Sequence, residues 1–153
     1  MVRLADLPEG SREHLAKLPC RSYDSAPWVA GPPLGQRRVA IISTAGLQVR
    51  GDRPFGLGAD DYRVIPGDTP GADLIMSHVS TNFDRSGFQQ DLNVAFPIDR
   101  LREMAADGEI GSVADFHYSF MGATDPDLYE GPARRLAELL KKDNVDAALL
   151  VPI

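Results

Sequence analysis

Short apolar runs separated by glycine, proline and aspartate recur along the chain, and they follow two different periods. In "RRVAIISTAG" the stretch Val39 to Ser43 is almost continuously apolar and β-branched, the pattern of a strand covered on both faces, and Thr44, Ala45 and Gly46 form a small-residue turn after it. "ADLIMSHVS" predicts a second buried strand from Asp73 to about Val79, "IGSVADFHYSFMG" a third from Val113 to Phe120, and "VDAALLVPI" a last one, buried on both faces. Helical spacing lies between them. A helix opening at Pro97 puts Ile98, Leu101 and Ala105 on one face and closes at Gly108. Another from Pro132 to Asp143 turns Ala133, Leu136, Leu139 and Leu140 inward and Arg134, Arg135, Glu138 and Lys142 to water. The final third therefore reads as strand, helix, strand with a parallel, right-handed crossover.

These elements predict an α/β fold: a mainly parallel sheet with flanking helices, in Rossmann-like or flavodoxin-like layers. Residues 1–36 read as an N-terminal helix, Ser11 to Leu18 and stopped by Pro19, followed by a Pro- and Gly-rich arm that Trp28 anchors. Residues 37–153 form the α/β domain. From Gly51 to Gly71 the chain is crowded with Gly, Pro and Asp around the short apolar piece "YRVI", a long loop or an edge strand. In open parallel sheets the loops beyond the carboxyl ends of the strands build the ligand site. A chain whose last strand stops flush at that edge is expected to be an incomplete domain, truncated at its C-terminus.

Composition narrows the function. Across 153 residues, 16 basic and 22 acidic side chains give a net charge of -6 with no basic stripe, which argues against a nucleic-acid partner. "MVRLADLPEGSREHL" lacks the apolar core of a signal peptide, and no run approaches the roughly 18 apolar residues of a membrane span. A cytoplasmic protein is expected. Cys20 stands alone and reads as inert, and three histidines leave a structural zinc site short of its usual ligands.

No G-x-G-x-x-G follows the first strand and no G-x-x-x-x-G-K-[ST] occurs, so dinucleotide and P-loop functions lose their main support. "STAG" is either an ordinary turn or a backbone cradle for an anion, with Thr44 at its centre. His78 ends the second strand and His117 lies on the third. A sheet that brings both imidazoles to one edge offers proton transfer near neutral pH, and the competing reading is two hydrogen-bonded core histidines. Asp84, Asp91, Asn93 and Asp99, with His78, have the donor types of a mixed N/O metal site. Solvated loop carboxylates and a helix-start aspartate at Asp99 explain them more cheaply, so no metal is assigned.

The segments "VIPGD", "SHVSTNFDRSGFQQDLNVAFPIDRLREM", "GEIGSVADFHYSFMG" and "VDAALLVPI" together resemble the selenoprotein B family of glycine, sarcosine, betaine and D-proline reductases. The run D-x-N-x-x-F-P-I-D-R-L is the most specific part, and the arm before Arg38 contributes nothing. The resemblance implies reductive cleavage of a C–N bond in a small amine or amino acid, with selenocysteine or cysteine as nucleophile and thiols as electron source. It places that residue just after the strand matching "ALLVPI", directly beyond Ile153, so this chain alone lacks the redox atom and is expected to be inactive. It also implies partner subunits, one of which can carry a carbonyl group that captures the substrate amine. His78 and His117 become candidates to orient substrate or pass a proton to the leaving amine, and Thr44, Asp84 and Asn93 to line the substrate. No cofactor is expected within the chain.

Two other classes remain open: a non-catalytic ligand-binding or assembly module of the same fold, and a metal-dependent hydrolase using His78, His117 and Asp84. Sheet surface left uncovered beyond Ile153 predicts self-association into a homo-oligomer.

Overall fold

The computed structural model describes residues 3–18, 22, 24, 26–80 and 84–153, so Pro19 and Cys20 lie outside the described residues. Two compact units are formed, Met1–Ala30 and Gly31–Ile153. In the first, helix α1 (Glu9–Ala16) starts two residues earlier than its apolar spacing predicts and buries none of its side chains. Trp28 is 93% exposed.

The second unit is built on β1 (Arg38–Ser43), whose Val39, Ala40, Ile41 and Ser43 are buried as the apolar run predicts. β2 (Leu47–Val49), β3 (Arg63–Pro66), β4 (Leu74–Met76), α2 (Ser86–Gln90), α3 (Ile98–Ala106), β5 (Ser112–Val113), β6 (Phe116–Ser119), α4 (Glu130–Lys142) and β7 (Ala147–Val151) follow. β5 and β6 flank β1 on one side and β7 on the other, all parallel to it, while β3 runs antiparallel to β6 as the edge that "YRVI" suggested. The sheet is α/β and mainly parallel. Ile41 and Ile42 point to opposite faces, as successive strand residues must. On the Ile41 side Ile65, Phe96 and Ile110 pack with Ile98 and Leu101 of α3, and on the Ile42 side Tyr118 and Phe120 pack with Leu136 of α4.

Four expectations change. The second run does not join the parallel sheet: β4 keeps only three residues and pairs antiparallel with β2 in a separate ribbon, because Ser77 turns away to bond the Gly46 carbonyl. The third run is cut in two at Ala114–Asp115. Asp143, just past α4, accepts from the amides of Asp115 (2.8 Å) and Phe116 (3.1 Å) with one oxygen and from the Arg38 guanidinium (2.5 Å) with the other, pulling the chain off the ladder there. In α4, Ala133 faces solvent and Leu136 carries the burial. The last strand is an edge rather than a doubly covered strand, with Leu150 67% exposed, since β1 is its single partner in the sheet.

Candidate functional site

β1, β6 and β7 end at one level, Ser43 standing opposite Ser119 on one side and Val151 on the other. Both serines are fully buried and hold loops: Ser43 Oγ donates to the Ala95 carbonyl (2.8 Å), and Ser119 Oγ accepts from the Leu47 amide (2.8 Å). Above them the turns are laced together. Phe120 N donates to Ser43 O (2.8 Å), Gly46 N to Phe120 O (2.9 Å) and Gly122 N to Thr44 O (2.8 Å). The Tyr129 hydroxyl donates to the Met121 carbonyl. Gly46 sits at φ +65°, and a Cβ there would come within 3.1 Å of His78 N and Cα and 3.0 Å of Met121 Cε. Backbone freedom and close approach both require glycine at this point.

Thr44 is at the centre of this rim, but its hydroxyl is already engaged. Oγ1 accepts from Ile153 N (2.8 Å) and bonds back to Ile153 O (3.2 Å), while Thr44 N donates to Val151 O (3.0 Å). His78 is 5% exposed and shares the rim through its packing on Gly46. Its Nδ1 accepts from Ser80 N (3.2 Å), and its carbonyl accepts from the guanidinium of Arg85, which folds back over it. Burial, and then the Arg85 charge, hold its pKa below the ordinary imidazole value, which favours the neutral ring.

His117 does not join it. It sits level with Ile41, two residues below the strand tip, fully buried, with Nδ1 accepting from Ile41 N (2.9 Å) and the ring edge-on to Phe96 at 5.6 Å. The expected meeting of two imidazoles at one edge therefore fails, because β6 pairs Ser119 with Ser43 at its tip and so holds His117 two residues lower, in the core. Asp84 caps the start of α2 by accepting from Ser86 N (2.9 Å), and that bond pulls its pKa below the usual carboxylate range. Asn93 caps α3: Oδ1 accepts from Asp99 N (3.0 Å), and Nδ2 donates to Asp91 Oδ1 (2.9 Å) and Asp99 Oδ2 (3.2 Å).

The D-x-N-x-x-F-P-I-D-R-L run is thus a structural corner. Asp91 and Asn93 cap, Ala95 O receives Ser43, Phe96 packs on His117, and Arg102 ties Asp99 (2.8 Å) to the Gly67 carbonyl (2.5 Å). Sequence reasoning missed Arg85, which no pattern singles out. It also missed the two strand-end serines, although "VAIIS" and "FHYS" both stop on that residue. A cavity of about 450 Å3 lined by Pro66, Gly67, Arg102 and Phe116 lies at the opposite end of β6, away from the rim.

Among the described residues no three His, Cys, Asp or Glu side chains gather closely enough to hold a metal ion, and no helix is long and apolar enough to cross a membrane. Residues 71–152 match the glycine/sarcosine/betaine reductase selenoprotein B family. The chain is 36% identical over 115 residues to the D-proline reductase subunit gamma of Acetoanaerobium sticklandii, covering 73% of this chain and 47% of that protein. It is 29% identical over 147 residues to the glycine reductase complex component B subunit gamma of Symbiobacterium thermophilum, covering 90% of this chain and 33% of that one. It therefore spans about half or less of the length of these relatives. No solved structure matches it significantly.

Proposed function

Because this chain belongs to the glycine/sarcosine/betaine reductase selenoprotein B family, we propose that it is part of a reductase subunit whose nucleophile, selenocysteine or cysteine, directly follows Ile153. The supporting observation is the rim itself. β7 runs out of the sheet beside the turns after β1 and β6, where Thr44 grips Ile153 and His78 packs against Gly46. That is the side of a parallel sheet on which ligands bind. A selenolate is ionised at neutral pH and so is available to attack, for the reason a low-pKa thiolate is.

The overall reaction replaces the substrate C–N bond with C–H and N–H. Two thiols supply two electrons and two protons, one proton to carbon and one to nitrogen, and leave as a disulfide; an acyclic substrate loses its amine, and cyclic D-proline opens its ring with the amine still attached. His78, neutral and buried, orients the substrate by hydrogen bonding and accepts or returns a proton at the leaving nitrogen. Asp84, exposed and next to the Arg85 that bonds the His78 carbonyl, is assigned to the substrate side of the same rim. His117 acts only through the strand it braces, and Asn93 through the helix it caps. The substrate is a small amine or amino acid, the reductant a thiol, and the setting cytoplasmic with partner subunits, in keeping with relatives named as subunits.

The test is the full-length protein mixed with its partner subunits, a dithiol and a panel of glycine, sarcosine, betaine and D-proline. Substrate-dependent thiol oxidation is expected, with release of the amine from glycine, sarcosine or betaine or with ring opening of D-proline. Ligand binding without thiol oxidation would favour the non-catalytic assembly module instead.

A further inference from the structure

Thr44 lies where three strand ends meet, and the details of its bonding are unusual. Its main-chain carbonyl is turned sideways to Gly122 N (2.8 Å), and its hydroxyl takes over toward the outgoing chain, accepting from Ile153 N (2.8 Å) and bonding Ile153 O (3.2 Å). One side chain thus extends the β1–β7 ladder two residues past the Val151 pairing. Pro152 between them has no N–H to donate and a fixed φ, so Ile153 is gripped at both its polar groups just beyond a stiff link. Gly122 closes the other side: a Cβ there would fall 2.3 Å from Ile153 O and 2.9 Å from Thr44 O. A side chain at position 122 would push the exit out of line.

We propose that Thr44 is a positioning residue that, with Gly122 as the floor beneath it, sets the direction in which the residue after Ile153 leaves the sheet. This rests on the function proposed above, and it changes what Thr44 does: its hydroxyl aims the nucleophile and does not touch substrate. A misplacement of about 1 Å at a reacting atom costs on the order of a hundredfold in rate, so a hydroxyl that fixes the preceding peptide has a kinetic effect far larger than one exposed hydrogen bond has on stability.

The experiment uses the full-length protein and follows iodoacetamide alkylation of the residue after Ile153 against pH, with peptide mass spectrometry to place the adduct. Thr44→Val keeps the shape and removes the hydroxyl. It is expected to retain its circular dichroism spectrum, to alkylate roughly tenfold differently from wild type, and to move the apparent pKa of the reacting group. Thr44→Ser should restore the wild-type profile to within about twofold. Gly122→Ala is expected to disturb the same profile by crowding Ile153 O and Thr44 together while keeping the Thr44 hydroxyl in the sequence. A folded Thr44→Val with the wild-type rate and pH profile overturns the positioning role, as does a Thr44→Ser that fails to rescue. Unfolding of both Thr44→Val and Gly122→Ala would assign the cluster to stability alone and also overturn it. If the wild-type peptide beyond Ile153 carries no adduct, the proposed function itself fails, a result distinct from all of these.

Discussion

Acid should weaken this fold through one buried ring. His117 is fully buried, and its Nδ1 accepts from Ile41 N, so the proton of the neutral imidazole sits on Nε2. Nε2 has no hydrogen-bond partner among the described residues. A second proton would have to enter at Nδ1, setting two donors against each other in the middle of β1. Burial is the main cause of a pKa lowered to about 4; nearby Arg102 and Arg38 push the same way, and Asp143 partly opposes them. Because the folded state resists protonation, the stability this ring contributes is fully present above the unfolded value of 6.5, falls as pH drops from there, and is gone below about 4. Across the whole window that amounts to roughly 3 kcal/mol, and between pH 7.5 and pH 5 to about 2 kcal/mol. Urea unfolding of the chain at those two pH values measures it. His117→Asn provides the control, since Asn Oδ1 takes the place of Nδ1 as acceptor for Ile41. It is expected to lose about 1–3 kcal/mol at pH 7.5 through the cavity it leaves, and to show correspondingly less pH dependence. His78, also lowered by burial, supplies a residual slope of the same sign in both proteins. Equal pH dependence in wild type and His117→Asn would mean that the His117 ring does not carry the acid sensitivity of the fold.

Three further outcomes follow from the same contacts. Asn93→Ala removes the side chain that accepts from Asp99 N at the start of α3, so it is expected to cost about 1 kcal/mol in a denaturant melt; loss of ligand affinity with unchanged stability would instead make Asn93 a substrate contact. Asp143→Ala strips the partner from Arg38 and from the amides of Asp115 and Phe116, and is expected to cost about 3 kcal/mol; a loss below about 1 kcal/mol would mean that water replaces it readily. The exposed Leu149 and Leu150 on the β7 edge are expected to drive self-association of the 153-residue chain, and Leu150→Lys to shift it toward monomer. A wild-type chain that sediments as a monomer at high concentration contradicts that.

Much of the fold was legible where burial is continuous. Val39 to Ser43 is apolar because both faces are covered, and α3 and α4 show their periodicity because one face of each meets the sheet. The errors fall where tertiary contacts outweigh local pattern. The break at Ala114–Asp115 depends on a carboxylate nearly thirty residues later, at Asp143. β7 looks buried because its side chains are apolar, and only pairing reveals that it lies at an edge. Of the candidate residues, Thr44 and His78 stand beside the turn after β1, whereas His117 and Asn93 spend a side-chain acceptor on backbone amides of the fold. A histidine one residue into a strand and one at its tip look alike in sequence, because register is set by partners far away in the chain.

If the redox atom of a reductase stands immediately beyond the Thr44–Ile153 clasp, the codon that follows Ile153 in the gene must encode it. Sequencing the gene through that position is expected to give UGA or a cysteine codon with an open frame continuing beyond it; a codon for any other amino acid, or a stop with no coding frame after it, would rule the proposed nucleophile out.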